Sequence, residues 1–471
     1  MRTKRHQLWA KLETVEGTDS VPTVSQAYYV GDVSEDADYQ TFDQSRVANS
    51  LDTEATLVGQ KRWKMDFTLD LKGGGASATV PQLPECDLFL RMSGFRRQRT
   101  YYLTGTAITG SIAHGATFTQ ATSGATGIII GSYSGTPTKV HYVALSGTVD
   151  GSHLVTCTNP DTTTATFTTG ASPAVTAHGY RYVPATDQWS VATHGGWSTT
   201  PTTGEVVTGG TSGAVGILLD GSSASSVWVE VLLGTFQNGE NITGSSSGAS
   251  TTLSSTFAQE SNVSGTIYRI VDGRLIKATG CRADWQIPLK TGDPCKIKFM
   301  AQGFEGGVTT GLLGAASYAS ASLATLRFVS ANWTVDSRAF HISKAEISGG
   351  NKLAIEPDAN LAEGALAYRI AERAPQVSID PSDLPPAAYS FFAKAAASTL
   401  VSGKIRMGVS ESGLHSASSS LWGSIVWIDM PQIQYDPPKR GDREGLVTAE
   451  VVGKLRRGSA AGDDSIALLF L

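Results

Sequence analysis

Ten consecutive residues, Trp63 to Lys72, alternate without a break: Trp63, Met65, Phe67, Leu69 and Leu71 share one parity, and Lys64, Asp66, Thr68, Asp70 and Lys72 the other. An extended chain sends every second side chain to the same side, so this stretch specifies an antiparallel strand with one apolar and one wet face. The composition extends that reading to the whole chain. With 51 Gly against 18 Pro and 17% charged residues, it is turn-rich and β-favouring. Its 471 residues suffice for roughly two to four domains, each with its own core.

Charge is spread unevenly. Residues 101–258 hold only nine of the 79 Asp, Glu, Lys and Arg residues, which marks an insertion with its own composition. Inside it Thr122-Ser123-Gly124-Ala125-Thr126-Gly127-Ile128 recurs as Thr211-Ser212-Gly213-Ala214-Val215-Gly216-Ile217. Each copy continues through an alternating segment, Val140–Leu145 or Val227–Leu232, to a Gly-Thr at Gly147 or Gly234. Two small β modules are expected, at about 117–167 and 206–257. Tyr180–Gln188 between them is less biased and fits the surrounding domain.

A fainter duplication lies outside the insertion, where Pro288–Asp293 (PLKTGD) matches Pro437–Asp442 (PPKRGD). Each half reads as strand, long polar loop, strand, short helix and further strands. In the first half these are Ala27–Val33, the loop Ser34–Gly59, Trp63–Lys72 and a helix at Pro84–Ser93, which has acids in its first turn and a glycine stop. In the second half they are Phe340–Ile347, the loop Gly349–Gly364, Gln376–Asp380 and an Ala- and Phe-rich helix at Pro386–Ser398. The expected architecture is mainly β: one domain from 1–100 with 259–312, a second from 313–471, and the insertion 101–258. Both long loops are acidic, and loops of such length in a compact domain usually carry function. Glu35, Asp36 and Asp38 in the first, and Glu356, Asp358 and Glu363 in the second, are candidate contact residues.

The scan for chemistry is negative. The formal charge is −5, so no global attraction draws the chain onto nucleic acid or an anionic membrane. Cys86, Cys157, Cys281 and Cys295 form no CxxC pair and read as structural thiols of a reducing compartment. Neither a signal peptide nor a run of 18 apolar residues is expected. No phosphate-binding loop, dinucleotide fingerprint, zinc-protease or calcium-loop pattern occurs. The one formal hit is GxSxG at Gly244–Gly248, but a Ser/Gly tract surrounds it where a nucleophile elbow needs a strand and a helix. The eight histidines never lie four apart on a helix, and no apolar setting marks Glu356 with Asp358, or Asp463 with Asp464, as an acid–base pair. No enzyme, cofactor or metal is expected. Trp197 and Trp228 in the modules are candidate sugar-stacking surfaces as well as core residues.

Five matches in order resemble the tail tube (major tail) proteins of long, non-contractile-tailed bacteriophages. They are Leu8–Asp19 (LWAKLETVEGTD) leading to Ala27–Val33, Cys86–Phe95, Tyr268–Gly280 (YRIVDGRLIKATG), Arg373–Asp380 (RAPQVSID) and Pro431–Gly445 (PQIQYDPPKRGDREG). The resemblance covers about 8–100 and 260–471; the insertion has no counterpart in a minimal tube protein. It implies two tandem tail-tube β-sandwich or barrel domains, each with one short helix. It also implies a virion role, assembled in the host cytoplasm: subunits form rings, rings stack into a tube, and DNA passes through without specific binding. Tape-measure, distal-tail and terminator proteins would be further partners, with no membrane. Two tube folds per chain imply homotrimeric rings with pseudo-sixfold symmetry. Lys64, Asp66, Asp70 and Lys72 then become lumen-lining candidates, the acidic loops become inter-ring contacts, and the modules lie outside the tube. The rival expectations are a carbohydrate-binding adhesin or other virion component, read from Trp197 and Trp228, and a polysaccharide-degrading enzyme.

Overall fold

Alternation along β4 (Leu57–Asp70) organises the first half of the molecule. β1 (His6–Leu12), β2 (Ala27–Tyr28) and β3 (Gly31–Phe42) precede it in a computed structural model of the chain, and the helix α1 (Asp87–Met92) follows. The structure describes every residue except 1–5, 14, 45–54, 74–82, 138, 147–148, 171–175, 186, 203–204, 221–225, 262, 317, 319–324, 330, 362, 383, 386–387, 409–423, 444 and 459–461. The chain then makes an excursion from β5 (Phe95–Leu103) to β20 (Ala258–Ser261). It returns with β21 (Gly265–Val271), β22 (Arg274–Lys290) and β23 (Lys296–Thr310). The strands pair antiparallel in the order β3-β4-β23-β22-β21-β1-β2. Trp63, Met65, Phe67 and Leu69 point into the core, and Phe89 of α1 packs edge-on against Phe67 and Tyr28 with centroids 4.7 and 4.9 Å apart.

The second half repeats this plan in the same chain order. β24 (Asn332–Val335), β25 (Arg338–Ala339) and β26 (Lys344–Ser348) lead into the hairpin β27 (Asn351–Pro357)–β28 (Ala365–Arg373). β29 (Gln376–Ile379) and α2 (Phe391–Ala396) follow, then β30 (Leu400–Met407), β31 (Val426–Tyr435), β32 (Lys439–Arg443), β33 (Leu446–Arg456) and β34 (Ala467–Phe470). Pairing runs β26-β29-β33-β31-β30-β24-β25, which matches the first half strand for strand. The helix falls at the same point, and Phe391 enters a cluster with Phe340, Tyr389 and Tyr435. The halves meet where β22 outruns β21: its last five residues pair with β26, from Gln286↔Ser348 to Lys290↔Lys344. One apolar core therefore runs through both halves, from Leu8 to Phe470. Among the described residues neither strand order closes into a barrel.

The excursion also contains two copies of one plan. The strands are β6 (Ser111–Ile112), β7 (Thr117–Gln120), β8 (Thr126–Ile130), β9 (Tyr133–Ser134), β10 (Val140–Ser146), β11 (Leu154–Thr158), β12 (Thr164–Thr168) and β13 (Thr176–Pro184). The second set is β14 (Asp187–Thr193), β15 (Val206–Gly209), β16 (Val215–Asp220), β17 (Ser226–Leu233), β18 (Asn241–Gly244) and β19 (Ser250–Thr252). The first module pairs as β12-β11-β7-β8-β10-β5-β13 and the second as β19-β18-β15-β16-β17-β14-β20. Each unit thus includes an entry and an exit strand, and reaches beyond the Thr/Ser/Gly-rich cores. Tyr180–Pro184 lies in β13, which pairs both with β5 and with the C-terminal strand β34. Ile130 and Val143 of the first module pack with Trp427 and Leu469 of the second half.

Several expectations need correction. Ser34–Gly59 and Gly349–Gly364 are not loops for most of their described length but two-stranded arms, β3–β4 and β27–β28. The parity opposite Asp32, Ser34 and Asp36 is interrupted by Glu35 and Thr41, and that of β27 by flanking charges, so neither hairpin shows a clean apolar face and each reads as loop. Ala27–Val33 breaks at Tyr29 and Val30, and the strand expected at Phe340–Ile347 starts at Lys344. Both helices are shorter than their composition suggests, six residues each.

Candidate assembly surfaces

The two acidic arms lie side by side. The Lys61 amide donates to Glu363 Oε2 at 3.3 Å and Gln60 Nε2 donates to the Gly364 carbonyl at 3.5 Å, while the Tyr39 hydroxyl bonds Glu305 on β23. They differ in what they cover. The β27–β28 arm crosses onto the first half, where Tyr368 stacks on Phe304 with centroids 5.2 Å apart and Leu353 and Ile355 close the cluster. Beneath it Arg282, fully buried, donates Nε–H to the Tyr368 carbonyl at 3.0 Å and pairs with Glu16. Glu16 also takes Arg369 at 2.8 Å, and Arg369 takes Glu356 at 2.5 Å. The β3–β4 arm carries an exposed apolar set instead: Tyr39 at 39%, Phe42 at 50%, Leu57 at 55% and Val58 at 56%. An apolar group of that kind on a two-stranded arm is unusual for a surface that faces only water.

Most of the acidic candidates are engaged within the chain. Glu35 is paired with Arg269 and accepts the Trp63 indole N–H at 3.0 Å, which anchors the base of the arm. Asp38 pairs with Lys64 at 2.8 Å. Asp358 accepts the Asn360 amide at 2.8 Å and shapes the tip of its arm. Asp36 is exposed. Asp43 accepts from Thr56 at 3.2 Å, while Asp52 and Glu54 lie outside the described residues.

The wet face of β4 is a cross-strand charge ladder. Asp66 pairs with Lys298 at 2.7 Å, Asp70 accepts from Thr325 at 2.8 Å, and Asp32 pairs with Lys296 at 3.1 Å. Lys72 departs from the expected pattern: it is 3% exposed, with its ammonium 3.8 Å from Asp70. β4 ends at Asp70, and Leu71 donates its amide to the Cys295 carbonyl, so the two-residue period stops before Lys72.

The modules are held by carboxylates that close Ser-Gly-Ala turns. Glu240 takes the Ser212 amide at 3.0 Å and hydroxyl at 2.9 Å, and Ser212 Oγ in turn accepts the Ala214 amide at 3.1 Å. Glu205 does the same for the β18–β19 turn, taking the Ser247 amide at 2.9 Å and hydroxyl at 2.7 Å, with Ser247 Oγ accepting from Ala249 at 3.0 Å. It also takes the amides of Thr202 and Ser246 at 2.8 and 3.0 Å. Burial opposes ionisation, but the hydrogen bonds from Ser247, Thr202 and Ser246 outweigh it and hold the Glu205 carboxyl at about 2. The GxSxG match is therefore a hairpin turn whose serines are donors to a structural carboxylate. In the first module Gln120 fills the seat from the neighbouring strand, taking Ser123 Oγ at 2.7 Å and the Asp150 amide at 2.7 Å. The second module has Gly209 at that place, where a Cβ would lie 2.6 Å from Glu240. In the sequence Glu205 and Glu240 each stand seven residues before a Ser-Gly-Ala, but each closes the turn that follows the other, and so short a pattern does not stand out.

Trp197 packs half-buried on the second module's core with its ring 5.4 Å from His194, and Trp228 is half-buried on β17. Asp429, buried on β31, joins the first module to the second half, with Arg406 at 2.5 Å and His114 Nε2 at 2.9 Å. Burial would raise its carboxyl, but Arg406 and His114 hold it far below the usual carboxylate range. Among the described residues no group of three or more His, Cys, Asp or Glu is placed to hold a metal, and no helix is long and apolar enough to cross a membrane. Compared with protein-family models and with curated proteins, the chain matches none.

Proposed function

We propose that this chain is a structural subunit that assembles with copies of itself into stacked rings forming a phage tail tube, through which DNA passes unbound. The observation that carries the reading is the internal duplication: two halves of identical strand order, joined strand to strand across β22 and β26. Among the described residues a sheet extended in this way leaves β3 paired only with β4 and β32 only with β33, and pairing with further copies covers these edges. The charge ladder on β4 supports the same reading, because a wall on which acids and bases neutralise each other neither grips phosphate nor releases its counterions. The exposed Phe42, Leu57 and Val58 of the β3–β4 arm supply a contact for the next ring. The role is one of assembly, with no turnover and no cofactor.

Negative-stain electron microscopy of the purified protein over a concentration series, with light scattering on the same samples, tests it. Stacked rings or hollow tubes with three chains per ring are expected. Persistent monomers, or rings of six chains, would count against the reading and its symmetry respectively.

A further inference from the structure

Among the described residues the join between the halves has an unpaired counterpart in each half. Within the molecule, β26 pairs with the end of β22 through residues 344–348 and 286–290, just past the point where β21 stops. β22 corresponds to β31 in the shared strand order, and Pro288 to Pro437 in the shared motif, so the matching edge is the stretch from Tyr435 into β32. There Pro437 and Lys439 are exposed, and among the described residues β32 pairs only with β33. The element matching β26 is the stretch from Tyr28 into β3. Tyr28 and Val30 pack on the core with Tyr29 exposed between them, as Ala345 and Ile347 are buried with Glu346 exposed between them. Both stretches then enter an acidic arm through a residue of positive φ, Asp32 in one half and Gly350 in the other. Among the described residues β3 pairs only with β4.

We infer that the edge from Tyr29 into β3 of one copy pairs with the Tyr435–Arg443 edge of the next copy, reproducing between chains the β26–β22 join seen within one. This deepens the ring-forming role and rests on it. Charge favours the pairing at the exposed positions: β3 presents Asp36, its Asp32, Glu35 and Asp38 being paired with Lys296, Arg269 and Lys64, and β32 presents Lys439 and Arg440, its Arg443 being paired with Asp380. Space favours it too. In the chain, the β27–β28 arm that follows β26 lies over the neighbouring half and covers Phe304. The β3–β4 arm that follows the matching edge has no such half to cover, and its Phe42 and Val58 are exposed. The second half meanwhile holds an open groove of about 1020 Å³ lined by Leu400, Gln432, Leu455 and Arg456. The contact is head to tail, so a patch never meets its own copy, and a ring of such contacts closes without spare edges.

The test is the double variant Tyr29→Cys/Pro437→Cys in the full chain, at the pair that corresponds to Glu346 and Pro288. The four native cysteines are buried. Paired strands bring such positions to about 5 Å between Cα atoms, within disulfide reach. After oxidation, a denaturing non-reducing gel is expected to show a ladder that ends at the trimer. Each single variant is expected to stay monomeric on that gel, because the joint brings unlike edges together. Rings or tubes that form without cross-links would overturn this joint and leave the ring-forming reading standing; a wild-type chain that never self-associates would overturn both. Hydrogen exchange on wild-type rings is a check free of mutation: protection should rise at residues 29–36 and 435–443 relative to monomer, and unchanged exchange there would also overturn the joint.

Discussion

Replacing Glu205 by glutamine isolates the carboxylate clasp of the second module. The side chain keeps its shape but loses its charge and half of its acceptor capacity, and its new N–H₂ points at a cluster of donors: the amides of Thr202, Ser246 and Ser247 and two serine hydroxyls. The carboxyl sits at about 2 against an ordinary value of 4.5. That difference corresponds to about 3 kcal/mol of preferential stabilisation of the ionised form in the folded state. Because the folded value is the lower one, the contribution is fully present above pH 4.5 and is lost as pH falls through about 2. A chain with several packed units does not unfold in one step, so local opening is the proper observable. Native-state hydrogen exchange of the Ser246 and Ser247 amides should show protection reduced about 100-fold in the variant at neutral pH, which is about 3 kcal/mol. Exchange elsewhere, at β4 or β31, should be unaltered. A change below about threefold at the two amides would refute the clasp as the device that holds this hairpin.

Asp429→Asn should destabilise the docking of the first module by about 3 kcal/mol, because it leaves the buried Arg406 guanidinium without its carboxylate; exchange at β10 and β13 would report it. Gly244→Ala should cost about 1–3 kcal/mol locally, since its Cβ would lie 2.5 Å from the Glu205 carboxylate, whereas Gly239→Ala, with open space around it, should report only the cost of a positive φ; thermal melts of the two variants separate these effects. Phe42→Lys with Val58→Lys should leave the monomer within about 0.5 kcal/mol of wild type, because both side chains are half exposed, yet abolish stacking of rings in electron micrographs.

Legibility in the sequence followed burial. β4 could be read residue by residue because one of its faces is covered throughout, and so could the order of strand, helix and strand in each half. The acidic arms could not, since on β3 Glu35 and Thr41 interrupt the parity of Val33, Ala37 and Tyr39, and on β27–β28 the apolar Leu353, Ile355 and Tyr368 stand among charges; Glu35 gave no hint of Arg269, 234 residues further on, nor Glu356 of Arg369 across its own hairpin. The repeated Ser-Gly-Ala turns stood out as composition, but their function as donors to Glu205, Glu240 and Gln120 depends on contacts across strands.

Local pattern therefore determined that this chain is mainly β, that it contains repeats, and that it lacks the spacing of a familiar catalytic or metal site. Those are properties of neighbouring residues, and period and composition carry them. Only the tertiary structure decided that the halves share one core, that the first module is welded to the second half through β13, β34 and the Asp429 ion pairs, and that Lys72 is buried rather than wet. Strand order and register arise from pairings between residues up to hundreds of positions apart, whose free energy appears only once both partners leave water together.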